Sequence, residues 1–154
     1  MIPTVVIFLG CLPVYFILKT PQPIQFGDFL VFALLLVAVA FEGNADSQMR
    51  HHRSCNKQNN TPDKNIETGL WAWSRHPNYF GEIIFWVTIY LFLLIRGDHT
   101  IWAGSGVVAM LFLFNVISIP MMEKRLLDQK PQYKNYKKRV SKIIPLPPGK
   151  HLAN

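Results

Sequence analysis

Cysteine is nearly absent. Only Cys11, within an apolar run, and Cys55, in a polar stretch, carry thiols among 154 residues. Those contexts argue against a disulfide, and no Cys-x-x-Cys pair exists to hold a metal. His51, His52 and Cys55 lie close together, yet a closed zinc site needs a further ligand that is not in view, so no metal is assigned. Acid is scarce as well: 9 Asp and Glu stand against 16 Lys and Arg, a formal charge of +7. The first apolar run is expected to be a span rather than a secretory leader. The first apolar run has no basic start, and no small-x-small cleavage site precedes Lys19.

What is present is apolar. Half of the residues are hydrophobic, and with a basic surplus this suits a small membrane protein with basic loops. A nucleic-acid binder of this charge would not carry so many unbroken apolar runs, so nucleic acid is not expected as a partner. Four runs stand out: Ile2 to Leu18, Phe26 to Phe41, Phe80 to Ile95 and Ile101 to Met122. About 20 apolar residues cross a bilayer, so an all-α, multi-pass helical bundle of about four transmembrane helices is predicted, as one membrane domain over residues 1–154. Pro3, Gly10 and Pro13 interrupt the first run, as membrane helices tolerate. Gly104, Ser105, Gly106 and Ser118 are small enough to let helices pack closely. Pro120 marks the end of the fourth run or a kink.

Between the second and third runs, His51 to Glu67 reads as a hydrophilic loop, with Pro62-Asp63 as a turn signal. Asn59-Asn60-Thr61 matches a glycosylation sequon, usable only if this loop faces a secretory lumen. Nearly all Lys and Arg fall in the segment from Arg50 to Arg75 and in the tail after Glu123. The positive-inside rule places both in the cytosol. An endoplasmic reticulum or a bacterial inner membrane satisfies it equally.

The polar residues then converge. Glu42, Asp46 and Arg50 share one face if the second helix continues, which is either a salt-bridged helix end or the wall of a cofactor groove. The stretch Thr68 to Glu82 leads straight into the third run. His76 precedes a proline and is pushed out of the α region. Pro77 suits a first helical turn, with Ser74 as a candidate cap. Arg75 and His76 beside a helix N-terminus would suit phosphate or carboxylate. An interfacial belt of Trp71, Trp73 and Tyr79 with Arg75 and His76 on lipid phosphate fits the same residues. A tail that binds anionic lipid likewise accounts for the basic C-terminus.

Three sets of motifs carry a resemblance: Ala45-Asp46-x-Gln48; Thr68-Gly69-Leu70-Trp71 with Ser74-Arg75-His76-Pro77-Asn78-Tyr79-Phe80-Gly81-Glu82; and Pro120-x-x-Glu123-x-Arg125-Leu126 with Pro131-x-Tyr133-x-x-Tyr136 and Ile144-Pro145-x-Pro147-Pro148. Over residues 26–148 the chain resembles the C-terminal domain of the steroid 5-alpha reductase family, nearest its bacterial-type branch. The resemblance implies a membrane-embedded oxidoreductase that uses NADPH to reduce a carbon–carbon double bond conjugated to a carbonyl in a steroid-like or other lipid. It places Asp46 and Arg50 along the cofactor groove and Arg75 on phosphate. Asn78 and Glu82 would reach the nicotinamide or ribose side, and Glu123, Arg125, Tyr133 and Tyr136 would close the site from the tail. Tyr79 and His76 are the candidates for the proton donor. Arginine forks suit phosphate, and the cofactor brings the hydride.

Full-length family members carry further N-terminal spans that polarise the substrate ketone, and this chain lacks most of that region. A truncated, non-catalytic membrane protein is therefore one alternative. Another is an S-adenosylmethionine-dependent methyltransferase. The Arg-His-Pro-x-Tyr stretch and the Tyr-x-x-Tyr tail are also similar to the isoprenylcysteine carboxyl methyltransferases, which bind that cofactor at the equivalent place. The Thr68-Gly69-Leu70-Trp71 and Pro-x-Pro-Pro matches favour the reductase. The expected partners are the bilayer and a lipophilic small molecule, since such molecules partition beside an embedded pocket.

Overall fold

The computed structural model describes residues 2–59 and 65–148. Helices dominate: α1 (Ile2–Gly10), α2 (Leu12–Lys19), α3 (Phe26–Gln58), α4 (Pro77–Ile95), α5 (Ser105–Phe112), α6 (Ile119–Gln129) and α7 (Tyr133–Arg139). Short 3-10 turns occupy Gly69–Ala72 and Ile101–Gly104, and a π-helical turn, Leu113–Ser118, joins α5 to α6. No strand forms among the described residues; Ser74 and Ser141 make one isolated bridge. The all-α expectation holds.

Three helical stretches are long and apolar enough to cross a membrane: Phe26–Gln58, Pro77–Ile95 and the continuous run Ile101–Gln129. A fourth, Thr4–Lys19, is apolar but shorter. This is an integral membrane protein. Phe29, Phe32, Val108 and Phe112 stand exposed on these helices, where only hydrocarbon would suit them.

Two expectations from the sequence are corrected here. The stretch 51–58, expected in the hydrophilic loop, is helical, because no proline or glycine interrupts the chain between Gly43 and Pro62. Polar pairs one turn apart line its surface, Cys55 with His51 at 3.6 Å and Asn56 with His52 at 3.0 Å. Second, the first apolar run is not one helix. It breaks at Cys11 into α1 and α2, with Pro13 in the first turn of α2, where its missing N–H costs nothing. At Pro120, where an end or a kink is expected, the fourth run does not end; the helix goes on to Gln129. Inside a helix, proline removes one backbone bond and crowds the carbonyl four residues back. The preceding π-turn widens the helix at that point and absorbs the misfit. The sequon and the Pro62-Asp63 turn lie at least partly outside the described residues.

The chain divides into two compact units, residues 1–39 with 82–117, and residues 40–81 with 118–154. In the first unit α1 packs on α5 at two glycines. A Cβ added at Gly106 would fall on the backbone of Leu9 and Gly10, and one added at Gly10 would meet the Trp86 ring at 2.6 Å. A Cβ added at Gly104 would meet the Tyr90 ring at 3.0 Å. The expectation that small residues permit close packing is thus met at Gly104 and Gly106. Arg96 ties the start of α3 to the end of α4, pairing with Asp28 at 2.7 Å and donating to the Pro23 carbonyl at 3.0 Å.

The second unit is organised by the segment 69–76. Gly69 has φ +61°, and a Cβ there would meet the Gln48 side chain at 2.5 Å. Only glycine suits both demands. The turn it permits aims the Leu70 N–H at Gln48 Oε1, 2.9 Å away, and the Trp71 Nε1–H at the Ala45 carbonyl, 3.0 Å away. Two motifs that are distant in sequence therefore lock together through backbone groups.

Candidate functional site

Residues 73–76 are gripped from the other side by the tail. The Arg75 N–H donates to the Ser141 carbonyl at 2.9 Å, and the Leu146 N–H to the Trp73 carbonyl at 3.1 Å. Ser74 is fully buried; its Oγ donates to the Ile143 carbonyl at 2.7 Å and accepts from the His76 N–H at 3.1 Å. Helix α4 then begins at Pro77, as the sequence predicts. Ser74 is not its immediate cap. It satisfies the backbone one residue before the proline, which a pre-proline residue in extended conformation leaves free.

Glu123, on α6, is the electrostatic centre of this unit. It is 4% exposed. Arg75 Nε lies 2.8 Å from its Oε1, His76 Nε2 lies 3.3 Å from the same oxygen, and Lys137 Nζ lies 2.8 Å from Oε2. Tyr133 OH points at Oε1 from 3.4 Å. Arg75 Nη1 also donates to the carbonyls of Lys137 and Val140, at 2.9 and 2.5 Å. The segment leading into α4 thus meets α6 and α7 on one carboxylate.

Beside this hub opens a cavity of about 970 Å³, wholly within the second unit. The floor of α3 supplies Asp46, Arg50, Arg53 and Lys57, spaced so that they line one face of the helix. Arg75 and His76 come from the segment just before α4, Asn78 and Tyr79 from its first turn, Arg125 and Lys130 from α6 and the residue that follows it, and Tyr133 and Tyr136 from α7. Six cations therefore face one carboxylate, Asp46. His76 and Tyr79 stack, with ring centroids 5.5 Å apart and planes 15° from parallel.

The structure brings together nine of the eleven residues singled out from sequence: Asp46, Arg50, Arg75, His76, Asn78, Tyr79, Arg125, Tyr133 and Tyr136. Glu123 sits behind the cavity wall, holding Arg75, and Glu82 is not among the lining residues. Trp71 and Arg75 are buried in protein rather than spread along an interface. Arg53, Lys57 and Lys130 were missed. The signal was there: Asp46, Arg50, Arg53 and Lys57 recur at helical spacing, but it could be read only once 51–58 was known to be helix.

Burial pushes the hydroxyl pKa of Tyr133 and Tyr136 well above the usual tyrosine value. The Glu123 carboxylate adds to the effect at Tyr133, and Tyr133 itself adds to it at Tyr136. Tyr136 OH donates to the Trp71 carbonyl at 2.6 Å. A tyrosine whose folded pKa lies above its unfolded value of 10.0 holds its proton more tightly when folded. Its contribution is complete below about pH 10 and is lost as pH rises through the folded pKa. We expect Tyr136→Phe to lower stability by about 1–3 kcal/mol, by leaving the Trp71 carbonyl short of a donor. We also expect its melting temperature to fall less steeply above pH 10 than that of the wild type. Thermal unfolding in detergent across pH 8–11 (roughly the range around a tyrosine's titration) checks both.

Comparison with known proteins adds the following. A family model described as "Protein of unknown function (DUF1295)" matches residues 1–140. An uncharacterised protein of the fission yeast Schizosaccharomyces pombe is 27% identical over 167 aligned positions, covering 94% of this chain and 47% of the yeast protein. The chain thus spans about half the length of that curated relative. No solved structure matches.

Proposed function

The chain belongs to the DUF1295 family, the steroid 5-alpha reductase-like family, and from that premise we propose that it is a membrane reductase that binds NADPH and reduces a conjugated carbon–carbon double bond in a lipophilic carbonyl compound. The observation that carries this reading is the charge of the cavity. With Arg75 turned to Glu123, five further cations line the cavity with one carboxylate, Asp46; that balance suits a polyanion, and NADPH carries a pyrophosphate and a further phosphate. S-adenosylmethionine, with a sulfonium, an ammonium and a single carboxylate, is net positive and matches such a wall less well. Size agrees: about 970 Å³ is at the upper end of small-molecule sites, as a dinucleotide requires.

The lining residues fit this cofactor. Arg50, Arg53 and Lys57 on α3 and Arg125 on α6 would hold the phosphates. The aromatic pair His76 and Tyr79, with Asn78 between them in sequence, offers a flat surface and an amide for an aromatic ring. When bound, NADPH supplies the hydride. Arg75 acts differently from the expectation that it meets phosphate: with three N–H contacts turned inward to Glu123, Lys137 and Val140, it positions α7 against the start of α4. His76 and Tyr79, stacked at the cavity wall, are the candidates to protonate the product. The basic segment 50–75 and the tail would face the cytosol, where the nucleotide is available.

Thermal shift of the detergent-purified protein with NADPH and S-adenosylmethionine in parallel tests the reading, because a ligand that binds only the folded state raises the midpoint. NADPH is expected to stabilise. Arg50→Gln and Arg125→Gln, both at exposed positions, are expected to weaken NADPH binding about tenfold or more each while leaving the unliganded midpoint in place. Stabilisation by S-adenosylmethionine alone would turn the reading to a methyltransferase.

A further inference from the structure

The tail has a second face, pointing away from the hub. Between Lys130 and Lys142 the sequence holds six cations, and no acidic residue follows Asp128. Helix α7 buries Tyr133 and Tyr136, with Val140 just beyond it, against Leu126 and Leu127. Its remaining faces, with Lys134, Lys137 and Lys138, are exposed. Lys137 is spoken for by Glu123 and Arg139 by Glu67. Lys134 and Lys138, one turn apart, form no ion pair among the described residues.

Beyond α7 the chain bends past the 73–76 segment and bonds to it at Ser141, Ile143 and Leu146. Ile143 turns inward and is 9% exposed, whereas Ile144 is 61% and Leu146 52% exposed. Trp73, bonded through its carbonyl to the Leu146 N–H and to Ser141 Oγ, is 47% exposed beside them. A tryptophan and two aliphatic side chains therefore stand exposed where the tail pairs with residues 73–76, just beyond the exposed lysines of α7.

We propose that this surface docks on the anionic headgroups of the bilayer that holds the protein, with Trp73, Ile144 and Leu146 at the acyl boundary and Lys134 and Lys138 on lipid phosphate. The charge is of the right sign for an anionic leaflet, and basic residues close to a membrane span act in this way. The apolar component selects lipid over a purely ionic partner. Tryptophan seeks the headgroup level, and a basic face edged with apolar side chains is the pattern of interfacial segments. Docking would also steady the wall formed by Tyr133 and Tyr136, which border the cavity, but the proposal stands on the surface alone and does not rest on NADPH.

The test uses the full chain in nanodiscs of neutral phosphatidylcholine or of phosphatidylcholine with phosphatidylglycerol, each containing brominated acyl chains. The signal of Trp73 is the difference between wild type and Trp73→Phe. Quenching is expected in the anionic discs, weaker in the neutral ones, and reversed by salt. Lys134→Gln and Lys138→Gln are each expected to lower the docked-to-free ratio about fivefold. Their unchanged elution and melting midpoint would show that the fold is kept. Equal quenching in the two disc types with both variants, or none in either, overturns the proposal. So does an unquenched Trp73 alongside tight binding of an added acidic peptide, which would give the surface to a soluble partner.

Discussion

Replacing Glu123 with alanine should cost the protein about 3–5 kcal/mol of stability, the toll of stripping a buried ion pair of one partner. Arg75, 9% exposed, would lose the carboxylate it pairs with at 2.8 Å, while two carbonyls, those of Lys137 and Val140, still hold it in place. Lys137, whose side chain is 41% exposed, can turn to water and adds little. The cost is therefore that of the buried arginine. Removing both charges together, as in Arg75→Leu with Glu123→Leu, should be less damaging than Glu123→Ala, since a buried pair exchanged whole for apolar side chains is often nearly neutral. Denaturation of the three proteins in one detergent measures this. A Glu123→Ala variant within about 1 kcal/mol of wild type, the range of an exposed pair, would show that the hub is solvated and that the tail is held by its backbone bonds alone.

Gly106→Leu carries the other large effect, in the first unit. Even a methyl group there would fall on the backbone of Leu9 and Gly10, and backbone cannot swing aside as a flexible side chain can. Helix α1 would have to move off α5, which costs at least the 1–3 kcal/mol typical of overpacking, and a leucine adds volume beyond that. Gly43→Ala is the matching control. It lies within α3 with nothing within 4 Å of the new Cβ, so relief from glycine's helix penalty should raise stability by about 1 kcal/mol. Melting temperatures of the two variants should thus move in opposite directions. Equal shifts would mean that α1 is not seated on α5 in detergent.

Much of this molecule could be read directly. Four apolar runs became four helical regions, because the cost of leaving backbone polar groups unbonded in hydrocarbon allows a spanning segment little but helix. Pro77 started its helix where a missing N–H is harmless. Periodicity failed where two signals competed: the polarity of 51–58 suggested loop, while the absence of breakers allowed helix, and the helix won. Three cavity cations were hidden by that misreading or, like Lys130, lie where no periodicity points.

The sequence by itself determined that the protein is helical and membrane-embedded, and that its polar chemistry gathers in three stretches, around Asp46, Arg75 and Tyr133. Local rules sufficed, since hydropathy, proline geometry and charge counts depend on neighbours along the chain. Only the tertiary structure decided how those stretches divide their work. Arg75 could have met a ligand or a carboxylate, and both readings suit its guanidinium equally. Its choice of Glu123, 48 residues away, follows from the tail folding back along residues 73–76, a contact that no pattern within either segment encodes.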